Sequence, residues 1–108
     1  MARLVIETEY AAGDYESITV SSTAVGFTAS KLNPTSGDFK GMNCKEVYCT
    51  SETASLRFRM DGINPTATEG HLLPSGSELK IKNPQSIAKF KAIRNTTTDA
   101  VLKVTYYY

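Results

Sequence analysis

The sequence has no tryptophan, one histidine and only two cysteines among its 108 residues. Each scarcity removes a class of protein. Without tryptophan, the Cys, Trp and Cys core of an antibody domain is missing. The single histidine, His71 in Thr68-Glu-Gly-His-Leu-Leu-Pro, is the only residue on which a Ser/His/Asp or Cys/His arrangement could be built. Ser75 and Ser77 nearby show no nucleophile elbow and neither cysteine carries a nucleophile signature, so His71 is expected in a surface loop and the chain is expected to be non-enzymatic. One histidine and two cysteines lack paired ligand spacing, and Asp61-Gly62 lacks the acidic ladder of a calcium loop, so no metal and no cofactor is expected.

No apolar run approaches the roughly 20 residues of a membrane-spanning helix. Glu7 and Glu9 interrupt the N-terminal run before a signal-peptide core could form, so synthesis in a reducing cytoplasm is expected. Cys44 and Cys49 fall in a segment read as strand. Five positions apart, they would sit on opposite faces about 16 Å apart, beyond the roughly 7 Å a disulfide spans. Two free thiols are expected, as suits that compartment.

Twelve Lys+Arg against eleven Asp+Glu leave a net charge of +1, so no overall field draws the chain to nucleic acid or an anionic membrane. The carboxylates are scattered, and no glycosidase pair stands out. Gly70 and Gly76 precede no helix and read as turn residues rather than a phosphate cradle. Lys80, Lys82, Lys89, Lys91 and Arg94 form a local basic stretch that could, with Tyr106 to Tyr108, imitate a stacking platform for single strands. Lys80 and Lys82 alternate with Leu79 and Ile81, however, and Lys89 and Lys91 with Ala88, Phe90 and Ala92; this is the outward face of strands. Asn95-Thr96-Thr97 matches a glycosylation sequon, but with no signal peptide expected it is not expected to reach the machinery.

Hydrophobic residues at 41% and charged residues at 21% are ordinary for a globular chain, and the length fits one domain over residues 1–108. Turn residues punctuate it regularly, at Ala12-Gly13-Asp14, Asn33 to Asp38, Asp61 to Pro65, Pro74 to Ser77, Asn83-Pro84 and Asn95 to Asp99. Between them Ser55-Leu-Arg-Phe-Arg-Met60 alternates, with Leu56, Phe58 and Met60 on one face and Arg57 and Arg59 on the other. The final run repeats the pattern, with Ala100, Leu102, Val104, Tyr106 and Tyr108 on one face. Further strands are predicted over Arg3 to Tyr10, Tyr15 to Ser21, Val25 to Leu32, Glu46 to Ser51, Glu78 to Lys82 and Ala88 to Arg94. Glu52 to Ser55 and Ser86 to Lys89 could each start a helical turn, but neither continues an apolar stripe. About eight short strands predict an all-β fold, a single-domain antiparallel β-sandwich of jelly-roll or Ig-like type, with residues 1–10 as an extended N-terminal strand or arm.

The segment Met60-Asp-Gly-Ile-Asn-Pro-Thr-Ala-Thr-Glu-Gly-His-Leu-Leu-Pro-Ser-Gly76, followed by Ala88-Lys-Phe-Lys-Ala-Ile-Arg94 and Leu102-Lys-Val-Thr-Tyr-Tyr107, resembles small all-β structural proteins of tailed-bacteriophage virions. The resemblance covers about half the chain, from Leu56 to the end, and rests on turn and strand signals. It implies a capsid decoration (cement) protein bound to the major capsid protein, or a small head-to-tail connector or tail-associated part; a single sandwich without a long helix favours decoration. The partners implied are the major capsid protein or other virion proteins, with a homo-oligomer, a trimer for instance, in the particle. A carbohydrate-binding module using the tyrosines is the reading outside that class. Both chain ends look strand-like and could pair with a neighbour. The candidate interface residues are therefore Arg3, Val5 and Tyr10 at one end and Tyr106, Tyr107 and Tyr108 at the other.

Overall fold

A computed structural model describes residues 9–108. They form β1 (Ala12–Val20), α1 (Ala29–Leu32), β2 (Glu46–Glu52), β3 (Leu56–Arg59), β4 (His71–Leu73), β5 (Glu78–Ile81), α2 (Pro84–Lys89), β6 (Lys91–Arg94) and β7 (Ala100–Tyr107). The strands make two antiparallel sheets, one ordered β1-β7-β2-β5 and one ordered β4-β3-β6. The two sheets pack on one core. Their Cα radius of gyration of 13.6 Å is that of one domain of this length.

Period-two patterning explains the larger sheet. Ala100, Leu102, Val104 and Tyr106 of β7 are buried, as are Ile18 and Val20 of β1 and Val47, Cys49 and Ser51 of β2. Val104 lies between Glu16 and Cys49 in register, and Leu102 between Ile18 and Ser51. Leu56 and Phe58 of β3, Leu73 of β4 and Ala92 of β6 supply the opposing layer. Aromatic rings join the two layers. Phe90 stacks on Phe27 with centroids 4.4 Å apart and on Phe58 at 5.7 Å, while Phe27 meets Tyr106 edge-on at 5.9 Å. Gly26 lets the chain pass close to this stack, because a Cβ there would lie 2.8 Å from the Phe90 carbonyl oxygen.

Several local expectations are corrected. Val25 to Leu32 is not a strand: Val25 makes a single bridge to Ala92, and α1 follows. Ala29-Ser-Lys-Leu32 has no β-branched residue to hold an extended course. The strand expected from Ala88 starts only at Lys91, because Asn83-Pro84 opens a helix. Asn83 Oδ1 accepts from Gln85 N–H at 2.9 Å and Ser86 N–H at 3.2 Å, and Pro84 occupies the first turn, where its missing N–H costs nothing. His71 lies on a strand, β4, rather than in a loop, though it remains exposed. Met60 lies past the end of β3 and is exposed, unlike Leu56 and Phe58. Cys44 precedes β2, so both cysteines are buried, unbonded to each other, in the same core. Of the run Arg3 to Tyr10, residues 3–8 lie outside the described residues, and Glu9 and Tyr10 are not strand.

Candidate interaction surface

The connection from β3 to β4 is pinned from below by its own strand. Arg57, pointing away from the core between Leu56 and Phe58, donates from Nε to the Ala67 carbonyl at 3.1 Å and from Nη1 to the Gly70 carbonyl at 3.0 Å. Arg59, two positions on, grips Asp61 at both carboxylate oxygens, at 3.1 Å and 2.5 Å. That hydrogen bonding holds the Asp61 carboxyl below its ordinary range and raises the Arg59 guanidinium. Asp61 in turn accepts from Ile63 N–H at 3.3 Å. Farther along, Thr66 N–H donates to the Glu69 carbonyl at 2.9 Å, and Thr66 Oγ1 accepts from Glu69 N–H at 2.9 Å. Pro65 is buried, and Gly70, at φ +131°, passes so close that a Cβ would lie 3.0 Å from the Phe58 carbonyl oxygen and 3.1 Å from Pro65 Cβ. Only glycine fits there.

This tied loop displays apolar side chains to solvent. Ile63 is 56% exposed, Leu72 on the adjoining strand 49% and Met60 37%. An open depression of about 540 Å³ is lined by Met60 together with Arg59, Asp61, Glu69, Gly70 and His71. Its floor holds no serine, threonine or cysteine nucleophile. The Arg59–Asp61 pair is satisfied internally, and the His71 ring leans on Phe58 with centroids 5.4 Å apart. Among the described residues no three His, Cys, Asp or Glu side chains gather as a metal set.

The terminal candidates are placed differently. Arg3 and Val5 lie outside the described residues, and Tyr10 is half-buried, its phenol raised first by the charge of Glu9. Tyr106, Tyr107 and Tyr108 are buried. The Tyr106 hydroxyl donates to Glu16 and the Tyr108 hydroxyl to the Lys31 carbonyl, and the Tyr108 ring stacks on Phe39 at 4.9 Å. β7 is paired on both sides, with β1 and β2. It offers no free edge to a neighbour, and Tyr107 is not the exposed residue its place in the alternation predicts.

The basic stretch divides between the two sheets, Lys80 on β5 and Lys91 on β6, while Arg94 pairs with Asp99 at 2.5 Å. Burial pushes the Cys49 thiol up to about 12 and raises that of Cys44, so neither is a ready nucleophile. The sequence signal for the loop was an isoleucine directly after an Asp-Gly turn, followed by leucines at 72 and 73, where turn segments are usually polar.

Fold and surface together define a small two-sheet antiparallel domain with a hydrogen-bonded loop that exposes apolar side chains. No protein-family model matches the chain, and no curated protein or solved structure does either.

Proposed function

We propose that the chain is a non-enzymatic structural part that acts by protein–protein contact through the β3–β4 loop. Its setting in this reading is the virion of a tailed bacteriophage, where it binds the major capsid protein as a decoration (cement) protein. The observation that carries the contact is the exposure of Ile63 and Met60 on a loop held by Arg57, Arg59 and Asp61, with Leu72 exposed on the adjoining β4. The phage setting is supported by the resemblance of Met60 to Gly76, Ala88 to Arg94 and Leu102 to Tyr107 to virion proteins. A sandwich of jelly-roll or Ig-like type is the frame in this proposal.

The physics is additive. Burying Ile63 and Leu72 would contribute on the order of 1.5–3 kcal/mol each, and a loop already ordered loses little entropy on docking. Such a single contact is weak, but many copies on one lattice multiply it.

Co-sedimentation with shells of the parent phage stripped of this protein tests the reading. The wild-type chain is expected to saturate the shells, and the double variant Ile63→Glu, Leu72→Glu to bind at least about a hundredfold more weakly. Equal binding by both, or none by either, contradicts it. Retention on heparin that falls steeply with salt would point to nucleic acid instead, and glycan-dependent changes in tyrosine fluorescence to a carbohydrate module.

A further inference from the structure

The described strands leave four sheet edges, and three carry the usual protections against pairing. β4 is only three residues long. β5 is four residues long and bears Glu78 and Lys80. β6 is covered by the Val25 bridge, with Val25 and Ala92 exchanging hydrogen bonds at 2.9 Å and 2.8 Å. β1 differs from all of them in length, though it carries a register shift at its start and the carboxylates Asp14 and Glu16. It has nine residues, contains neither proline nor lysine, and among the described residues pairs on one side only.

Its edge, unpaired among the described residues, can be located. The register shift at Ala12/Asp14 disrupts the start of the strand, after which pairing with β7 runs unbroken to Val20. Tyr15 N–H is taken by Asp14 Oδ1 at 2.8 Å, and at the far end the Ser21 carbonyl turns away from β7 to accept from Arg94 N–H at 3.0 Å. Main-chain groups alternate in direction along a strand, so the outward ones belong to Tyr15, Ser17 and Thr19. The strand's charges face elsewhere and are occupied. Asp14 pairs with Lys31 at 3.0 Å, and Glu16 accepts from Thr28 Oγ1 at 2.8 Å and from the Tyr106 hydroxyl.

We infer that β1 pairs antiparallel with β1 of a second copy of this chain about a two-fold axis at Ser17. The two four-stranded sheets then join into one continuous sheet. In this register Ser17 exchanges main-chain hydrogen bonds with the partner's Ser17, and the Tyr15 carbonyl accepts from the partner's Thr19 N–H, the Tyr15 N–H staying with Asp14 Oδ1. On the outer face Tyr15, 56% exposed in the single chain, gains a β-branched neighbour. Glu16 falls opposite the partner's Ile18 and Asp14 opposite the partner's Val20, so no like charges meet. The same two-fold moved to Glu16 would set two carboxylates against each other, which counts against that register. The inference stands on the edge itself and does not depend on the virion reading.

The test is sedimentation equilibrium of the full chain with two charge variants, Ser17→Lys and Ser17→Glu. Ser17 is exposed, so the fold should survive, and tyrosine circular dichroism in the near ultraviolet verifies it. The wild type is expected to be a dimer. Each variant alone places like charges together on the axis and is expected to weaken the dimer by about fivefold or more, while an equimolar mixture restores it as a heterodimer. Hydrogen exchange adds a second readout independent of the variants. The Ser17 and Thr19 amides of the wild type should exchange more slowly as concentration rises. A wild type that stays monomeric, variants that dimerise as well as it does, or edge amides indifferent to concentration would overturn the inference.

Discussion

Replacing Phe90 with alanine is expected to lower the unfolding free energy by about 3–5 kcal/mol. The ring is 1% exposed and sits between Phe27 and Phe58, so its loss leaves a cavity at the joint between the layers. The surroundings cannot close on that cavity easily. α2 ends at Lys89 with the Phe90 N–H bonded to the Ile87 carbonyl, and β6 begins at Lys91, which fixes the backbone on both sides. Phe58 loses a stacking partner, and Phe27 loses the ring that holds it against Tyr106. For a domain of this size the change corresponds to a fall in melting temperature of more than about 10 °C. Urea and thermal unfolding of Phe90→Ala and Phe90→Leu measure it. Leucine is expected to recover part of the loss, and an alanine variant within about 1 kcal/mol of the wild type would contradict the assignment of Phe90 as the joint.

The second large effect is alkaline unfolding. Burial, with the hydrogen bond to Glu78, pushes the Tyr48 phenol up to about 12, and burial pushes Tyr108 to about 12. Tyr106 is raised further, by burial first and then by its hydrogen bond to Glu16. Cys49 is held up to about 12 by burial. In the unfolded chain a thiol ionises near 9 and a phenol near 10. Below those values both states keep their protons and stability does not change on this account. As pH rises from about 9 towards 12, the unfolded chain releases protons that the folded chain retains, and stability falls. A fully protected group removes about 1.4 kcal/mol per pH unit within that window. The expected result is a urea midpoint constant from pH 7 to 8.5 and falling steeply above pH 10, with a jump in phenolate absorbance that coincides with loss of the fold. Tyr106→Phe should make the decline shallower. Complete phenolate formation with the far-ultraviolet spectrum unchanged would contradict the burial of these groups.

What was legible in the sequence was strictly local. Alternation over Ala100 to Tyr108 identified β7 and its inward residues correctly because a two-residue period survives any placement of the strand in a sheet. The same rule placed Leu56 and Phe58 inward and Arg57 and Arg59 outward. Placement itself was not legible. The tyrosines at the chain end looked like an available edge, yet β7 is enclosed between β1 and β2, a choice made by pairings up to about ninety residues apart in sequence. Helix α2 was hidden by Asn83-Pro84, a dipeptide that serves a turn or a helix start equally well until its side-chain hydrogen bonds are known. β4 is too short to carry a period, and its partner β3 defines it as a strand.

The candidate surface shows the same division. The residues of the β3–β4 loop were visible as turn signals, and their exposed isoleucine and leucine were visible as letters. That Arg57 and Arg59 reach outward to tie the loop depends on β3 lying beneath it. The arginines that alternation places on the outer face hold the loop in place.

In the proposed capsid setting, hydrogen exchange of the chain bound to tailed-phage capsid shells, compared with the free chain, tests the central claim most directly. The account expects slowed exchange over Met60 to Leu72, centred on Ile63, with the core strands unchanged. Binding with protection confined to other segments, or no binding to shells at all, would contradict it.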